Sequence, residues 1–210
     1  HTKEFFLSYL MYANEKQDPH QEIYELVSEA KLFDLEVKIP KLSEWSEEFF
    51  ITNKGIYFGV KNVKSLTGVN GDKVINAIND TKEDINKKPA NFTWMDILIH
   101  LSTKINSTGF KALCSIGFFC TRTTGISRNK ALYEYLIFKN LTKAELKWVT
   151  ENYKSRKWKT LTECFAELAP TKKEGGGTSR ASRSQDIQNE ITFLENPPYE
   201  LTDDPSWVVE

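Results

Sequence analysis

Apolar residues recur at helical spacing along most of the chain. Phe5, Phe6, Tyr9, Leu10 and Tyr12 give residues 3–15 a broad apolar face. Ile23, Leu26, Val27 and Ala30 do the same for residues 19–31, and Asp18-Pro19 supplies an N-cap followed by proline at the first helical position. The period then changes. Phe33, Leu35, Val37 and Ile39 alternate with Asp34, Glu36 and Lys38, which predicts a half-buried strand ended by Pro40. A second extended pair, 48–52 and 56–60, is joined by the turn sequence Asn53-Lys54-Gly55.

From residue 61 the pattern is helical again. A short helix over 62–66 is broken by Gly68-Val69-Asn70-Gly71, and 72–86 resumes with Val74, Ile75, Ile78 and Ile85 inward. Thr93 with Asp96, Thr142 with Glu145 and Thr160 with Glu163 are capping-box pairs, which open helices over 94–105, 144–153 and 161–169. Residues 129–139 form a further helix, while 109–120 is apolar-leaning, Lys111 aside, and fits helix or strand. The expected fold is mainly α. It comprises a compact helical body over 1–170 with a small β element at about 33–60, an internal boundary conceivable near 60, and an extended tail over 171–210. The tail opens on Lys172-Lys173-Glu174-Gly175-Gly176-Gly177 and a Ser/Arg-rich stretch, then turns acidic and proline-punctuated.

Composition is that of a globular protein, 40% hydrophobic and 12% aromatic. No apolar run approaches the length of a membrane span, so no membrane partner is expected. Three cysteines, Cys114, Cys120 and Cys164, lack any disulfide-framework or metal-ligand spacing and suit a reducing compartment. They read as structural cysteines, and His100 reads as a core or boundary histidine. No cofactor and no metal are expected. The four Asn-x-Ser/Thr sequons, at Asn79, Asn91, Asn106 and Asn140, have no reading outside a secretory context.

Charge changes the picture. The net is −1, but residues 1–50 carry 5 basic and 11 acidic groups, 101–159 carry 12 basic and 3 acidic groups, and 184–210 carry 7 acidic groups and no basic one. A basic centre between acidic ends can bind a polyanion, or the acidic end of a neighbouring copy. The cations Arg122, Arg128, Lys130, Lys143, Lys147, Lys154, Arg156, Lys157 and Lys159 are interleaved with Trp148, Tyr153 and Trp158. Cations neutralise phosphates and exposed aromatics stack on bases. The competing view makes the tryptophans core anchors and the cations a solvated surface. The densest piece, 153–159, is expected in a connector. In the tail, Phe193, Leu194, Tyr199 and Trp207 are the candidate partner-binding residues. Residues 194–199 match the Φ-x-Asn-Pro-x-Tyr turn read by phosphotyrosine-binding-type adaptor domains.

Two other constellations carry chemistry. Asp34-Leu35-Glu36-Val37-Lys38 resembles the metal-binding part of restriction-type and cap-snatching nucleases, where acidic oxygens hold a divalent ion and lysine stabilises developing charge. An amphipathic strand with charged outer residues produces the same pattern. Val60, Val63, Leu66, Gly68, Val69, Val74 and Ile78 are spaced like a helix-turn-helix of the lactose-repressor family, and Gly55-Ile56-Tyr57-Phe58 resembles the entry to antirepressor-type DNA-binding domains. Gly68-x-x-Gly71 is similar to the phosphate clamp of KH modules without its basic residue. A plain packing corner accounts for the same spacing. The favoured expectation is a non-enzymatic assembly protein of viral coat or nucleocapsid type. It would associate with itself and with nucleic acid, single strands first, inside a cell or a virion. A DNA-binding regulator using 60–79 and a metal-dependent nuclease are the alternatives.

Overall fold

The Asp18 carboxylate accepts a hydrogen bond from the Gln21 amide and Pro19 fixes the first turn, so helix α2 (Pro19–Leu32) starts where the sequence sets it. It packs on α1 (Thr2–Ala13) as a helical hairpin. This computed structural model describes residues 2–168 and Asn189. The tail expectations, including Phe193, Leu194, Tyr199 and Trp207, lie outside the described residues.

The alternating stretch at 33–39 does not form the strand expected of it. The Asp34 amide donates to the Lys31 carbonyl and the Leu35 amide to the Ala30 carbonyl, with Asp34 at φ +57°. That is a left-handed C-terminal cap, and it uses up the first half of the alternation. Only Val37–Lys38 remains as strand β1. β2 (Phe50–Thr52) and β3 (Gly55–Tyr57) form the predicted hairpin with shorter arms, closed at the Thr52–Gly55 pair. β1 runs parallel to β3, with Val37 opposite Ile56, and the order is β1-β3-β2. The central strand β3 is wholly buried.

Beyond the sheet come a 3-10 turn (Val60–Asn62) and α3 (Val69–Ile85). A helix-turn-helix needs a full helix before its turn, and here that place holds a single 3-10 turn. Val69, one of the positions matching the helix-turn-helix spacing, is 68% exposed, because α3 begins at this residue and its core face starts with Gly71 and Val74. The Gly68-x-x-Gly71 pattern has a packing cause. Gly68 takes φ +55°, and a Cβ at Gly71 would lie 2.4 Å from the Leu66 carbonyl oxygen.

Helix α4 (Trp94–Asp96), opened by the Thr93–Asp96 capping box, widens at once into a π-helical stretch, Ile97–Leu101, where the Ser102 amide reaches the Ile97 carbonyl. The apolar run left open by its pattern resolves as α5 (Ser107–Ser115) followed by turns. α6 (Arg128–Lys139), α7 (Lys143–Arg156) and α8 (Leu161–Leu168) complete the body. The mainly α class with a small β element is therefore the observed one.

Trp94, Phe110, Phe119 and Tyr135 form the aromatic centre, with ring centroids 4.9 Å apart for Phe110–Phe119 and 4.3 Å for Phe110–Tyr135. Buried apolar residues from Phe6 to Phe165 belong to one continuous cluster. No helix among the described residues is long and apolar enough to cross a membrane.

Candidate functional site

Helix α7 is set by its capping box. The Thr142 hydroxyl accepts from the Glu145 amide, and the Glu145 carboxylate accepts from the Thr142 amide at 2.8 Å. Val149 and Tyr153 point inward. Lys143, Lys147 and Lys154 follow at i, i+4 and i+11, which puts all three on one outward stripe, and all three are exposed. The helix runs to Arg156, so 153–156 is helical and the expected connector shrinks to the three residues before Thr160. Lys157 caps α7 in the left-handed conformation at φ +59°. Lys159 follows, its amide donating to the Glu163 carboxylate at the start of α8. Arg156, Lys157 and Lys159 thus crowd one corner, and their side chains are exposed.

The other predicted cations are spread more widely. Arg122 is exposed on the loop between α5 and α6. Arg128 opens α6, half-buried, and its guanidinium donates to the Ser115 carbonyl at 3.4 Å. Close by, Lys41 donates to the Gly117 carbonyl at 2.8 Å. Burial foremost, and then Arg128, pull the Lys41 ammonium below its ordinary pKa, although the Cys120 thiol beside it works the other way. Lys130 is half-buried, and its ammonium lies 4.0 Å from Glu134. Part of its charge therefore serves a carboxylate inside the protein.

The acids of this region are largely neutralised in place. Glu134 is fully buried, and Glu151 lies 3.8 Å from Lys147. Each pairing takes up one cation for one acid, so the excess of cations that the sequence gives this region is kept at its surface. The interleaved aromatics are spent on packing. Tyr153 and Trp158 are buried, and Trp148 is half-buried with its ring 4.9 Å from that of Trp158. Of the two views of these rings, packing is the one observed: the tryptophans lie against each other and Tyr153 against His100.

Two polar networks escaped the sequence reading. Glu134 accepts hydrogen bonds from Trp94 Nε1 (2.6 Å), the Leu161 amide (2.8 Å), and the Thr162 amide and hydroxyl (3.2 and 2.8 Å). Burial pushes its carboxyl pKa up, against the pull of these donors. It joins α4, α6 and α8 at one point. In the second network, Asp96 accepts from Lys87 at 2.6 Å and from Thr93. The Tyr153 hydroxyl lies 2.8 Å from His100 Nε2 and 3.4 Å from Asp96. Burial and the Asp96 charge raise the Tyr153 phenol to about 12, so it stays protonated and is a poor nucleophile or base at neutral pH. Burial lowers the His100 pKa, with Lys154 and Lys104 adding to it and Asp96 opposing.

The Asp34–Glu36–Lys38 constellation is dispersed by the helix cap. Asp34 sits in the left-handed turn and only Lys38 lies on a strand. Glu36 is 3.8 Å from Lys38, and the two carboxylates border an open cleft of about 210 Å³ with Lys31. Among the described residues no three His, Cys, Asp or Glu side chains converge as a metal site would require. Cys114 and Cys164 are buried and Cys120 half-buried, each a free thiol. In comparisons with known proteins, no family model and no curated protein matches the chain.

Proposed function

We propose that this chain is a non-enzymatic assembly protein of coat or nucleocapsid kind, which associates with itself and with single-stranded nucleic acid inside a cell or virion. The carrying observation is the surface left by the fold of 101–159. Of its three acids, Glu134 is buried, Glu145 is engaged in the α7 cap and Glu151 is paired, while Lys143, Lys147, Lys154, Arg156, Lys157 and Lys159 all stand exposed. Phosphate contacts fall to the corner formed by Arg156, Lys157 and Lys159, supported by Arg122 and Arg128. With the neighbouring rings packed inside, binding rests on charge and carries little sequence preference.

Two features weigh against the DNA-regulator alternative. The first helix of its motif is missing, and α3 presents Asp72 and Asp80 at its surface. For the nuclease alternative, Asp34 and Glu36 lie in the helix cap and the residues after it, off the strand its motif requires.

The test is a salt titration of the full chain with a short labelled single strand. Binding should weaken as salt rises, with a log–log slope of about −0.7 for each phosphate contacted. The triple variant Arg156→Glu, Lys157→Glu, Lys159→Glu should lose affinity about equally for all sequences and flatten that slope by about 2. Absence of binding at about 50 mM salt would remove nucleic acid from the proposal.

A further inference from the structure

The α1–α2 hairpin shows water an unusual amount of apolar surface. Of the large hydrophobic side chains that stand exposed among the described residues, all except Val69 lie between Phe5 and Phe33. Phe5, Tyr9 and Tyr12 recur at i, i+4 and i+7, so they share one flank of α1. The Phe5 and Tyr9 rings touch at 4.5 Å, and Tyr12 remains 59% exposed. On α2, Tyr24 is likewise 59% exposed and Leu32 82% exposed. Apolar surface concentrated in this way marks an interaction face.

The same hairpin is acidic. Glu22, Glu25 and Glu29 recur at i, i+3 and i+7 on one flank of α2, all exposed. Among the described residues no cation forms an ion pair with any of them. On the far part of the sequence, α7 carries the opposite stripe, Lys143, Lys147 and Lys154, of which only Lys147 forms an ion pair among the described residues. Three uncompensated glutamates and three lysines, each set in line along a helix, are complementary surfaces of one molecule. The aromatic flank suits the same partner. Within the chain the Lys16 ammonium already lies 4.6 Å over the Tyr12 ring, so these rings accept lysine.

We propose that the outer face of the α1–α2 hairpin docks on the α7 lysine stripe of a second copy of this chain. The contact is head-to-tail, since the two faces differ, and so it can propagate from copy to copy. This inference rests on the reading of the chain as a self-assembling protein and names the surfaces that assemble. It leaves the Arg156, Lys157 and Lys159 corner to nucleic acid. Nucleic acid is the competing occupant of the lysine stripe, but it would not account for the acidic and aromatic face that the hairpin exposes.

Charge exchange tests it, using the full chain and sedimentation equilibrium without nucleic acid. Wild type should self-associate, more weakly as salt rises. Glu22→Lys, Glu25→Lys, Glu29→Lys together should lower the association constant by at least about tenfold, and so should Lys143→Glu, Lys147→Glu, Lys154→Glu together. Mixing the two variants should restore association, because each then presents the charge the other lacks. A general folding defect would not be rescued by mixing, and unchanged circular dichroism of each variant guards against one. The inference is overturned if wild type stays monomeric, if either variant self-associates like wild type, or if the mixture fails to associate. It is also overturned if the α7 variant loses only strand binding. Strand binding by the Arg156, Lys157, Lys159 variant is scored separately, so self-association without nucleic-acid binding would sustain this inference while removing nucleic acid from the function.

Discussion

Glu134 holds together three segments that are distant in sequence, and its carboxylate has no exposure to water. Replacing it by alanine strands the Trp94 indole N–H and the Leu161 amide in a buried setting. A buried donor without a partner costs about 1–3 kcal/mol, so Glu134→Ala should lose roughly 3 kcal/mol in urea unfolding. His100 gives a pH-dependent counterpart. Its folded pKa is depressed, chiefly by burial, so it binds a proton less readily in the folded chain than in the unfolded one. Its contribution to stability is complete above the ordinary imidazole value of about 6.5 and is lost as pH falls through the window below it. Glu134, with a raised pKa, works in the opposite sense over its own window, so the informative quantity is a difference. Between about pH 7 and pH 5, wild type should lose more stability than His100→Asn does, as measured by thermal unfolding.

At the scale of elements, local chemistry was legible and long-range chemistry was not. The Asp18-Pro19 start of α2, the capping boxes at Thr93 and Thr142 and the Asn53-Lys54-Gly55 turn all involve residues within four positions of each other, and each was readable from the sequence; at Thr160 only half of the box forms, since the Glu163 carboxylate takes the Lys159 amide instead. The 33–39 stretch misled because an alternating pattern is silent about where the preceding helix stops, and the Ala30 and Lys31 carbonyls captured its first amides. The helix-turn-helix spacing misled for a related reason. Val63 and Leu66 are buried as the motif would have them, but by a loop passing over the core. Glu134 could not have been found by pattern, since Trp94 lies 40 residues away and Thr162 lies 28. Gly71 offers a direct check of this corner. Its added Cβ would meet backbone as well as the Lys61 side chain, at 2.4 and 2.7 Å. Lys61 is itself clasped between Glu47 and Asp72 at 3.0 and 2.8 Å. Gly71→Ala should therefore destabilise the chain by about 1–3 kcal/mol in denaturant unfolding, although alanine in a helix ordinarily stabilises.

For the whole molecule, the sequence count of charge was informative about sign and misleading about distribution. Twelve cations against three acids over 101–159 do not make one uniform face. The fold lines up Lys143, Lys147 and Lys154 along α7, gathers Arg156, Lys157 and Lys159 at the corner before α8, and turns Arg128 and Lys130 towards Ser115 and Glu134 of the body. The role of the aromatics stayed open because a tryptophan among lysines looks alike in sequence whether it faces solvent or a second tryptophan. Division of the cations predicts separable phenotypes. Reversing the corner should alter salt-dependent strand binding, while reversing the stripe should alter copy number in solution.

The three thiols differ in exposure and in place, and that turns the chain into its own stopwatch. Cys120 is partly accessible beside Lys41, while Cys114 on α5 and Cys164 on the inner side of α8, its thiol against the Thr160 carbonyl, are both sealed. A thiol reagent can reach the two buried sulfurs only when the structure over them opens. Modification of Cys164 would time the lifting of α8, the helix that Glu134 tethers. Modification of Cys114 would time opening of the centre itself. In Glu134→Ala the Cys164 clock should run faster than the Cys114 clock, as read by mass spectrometry of quenched samples. Equal acceleration of both would mean that α8 leaves only when everything else does.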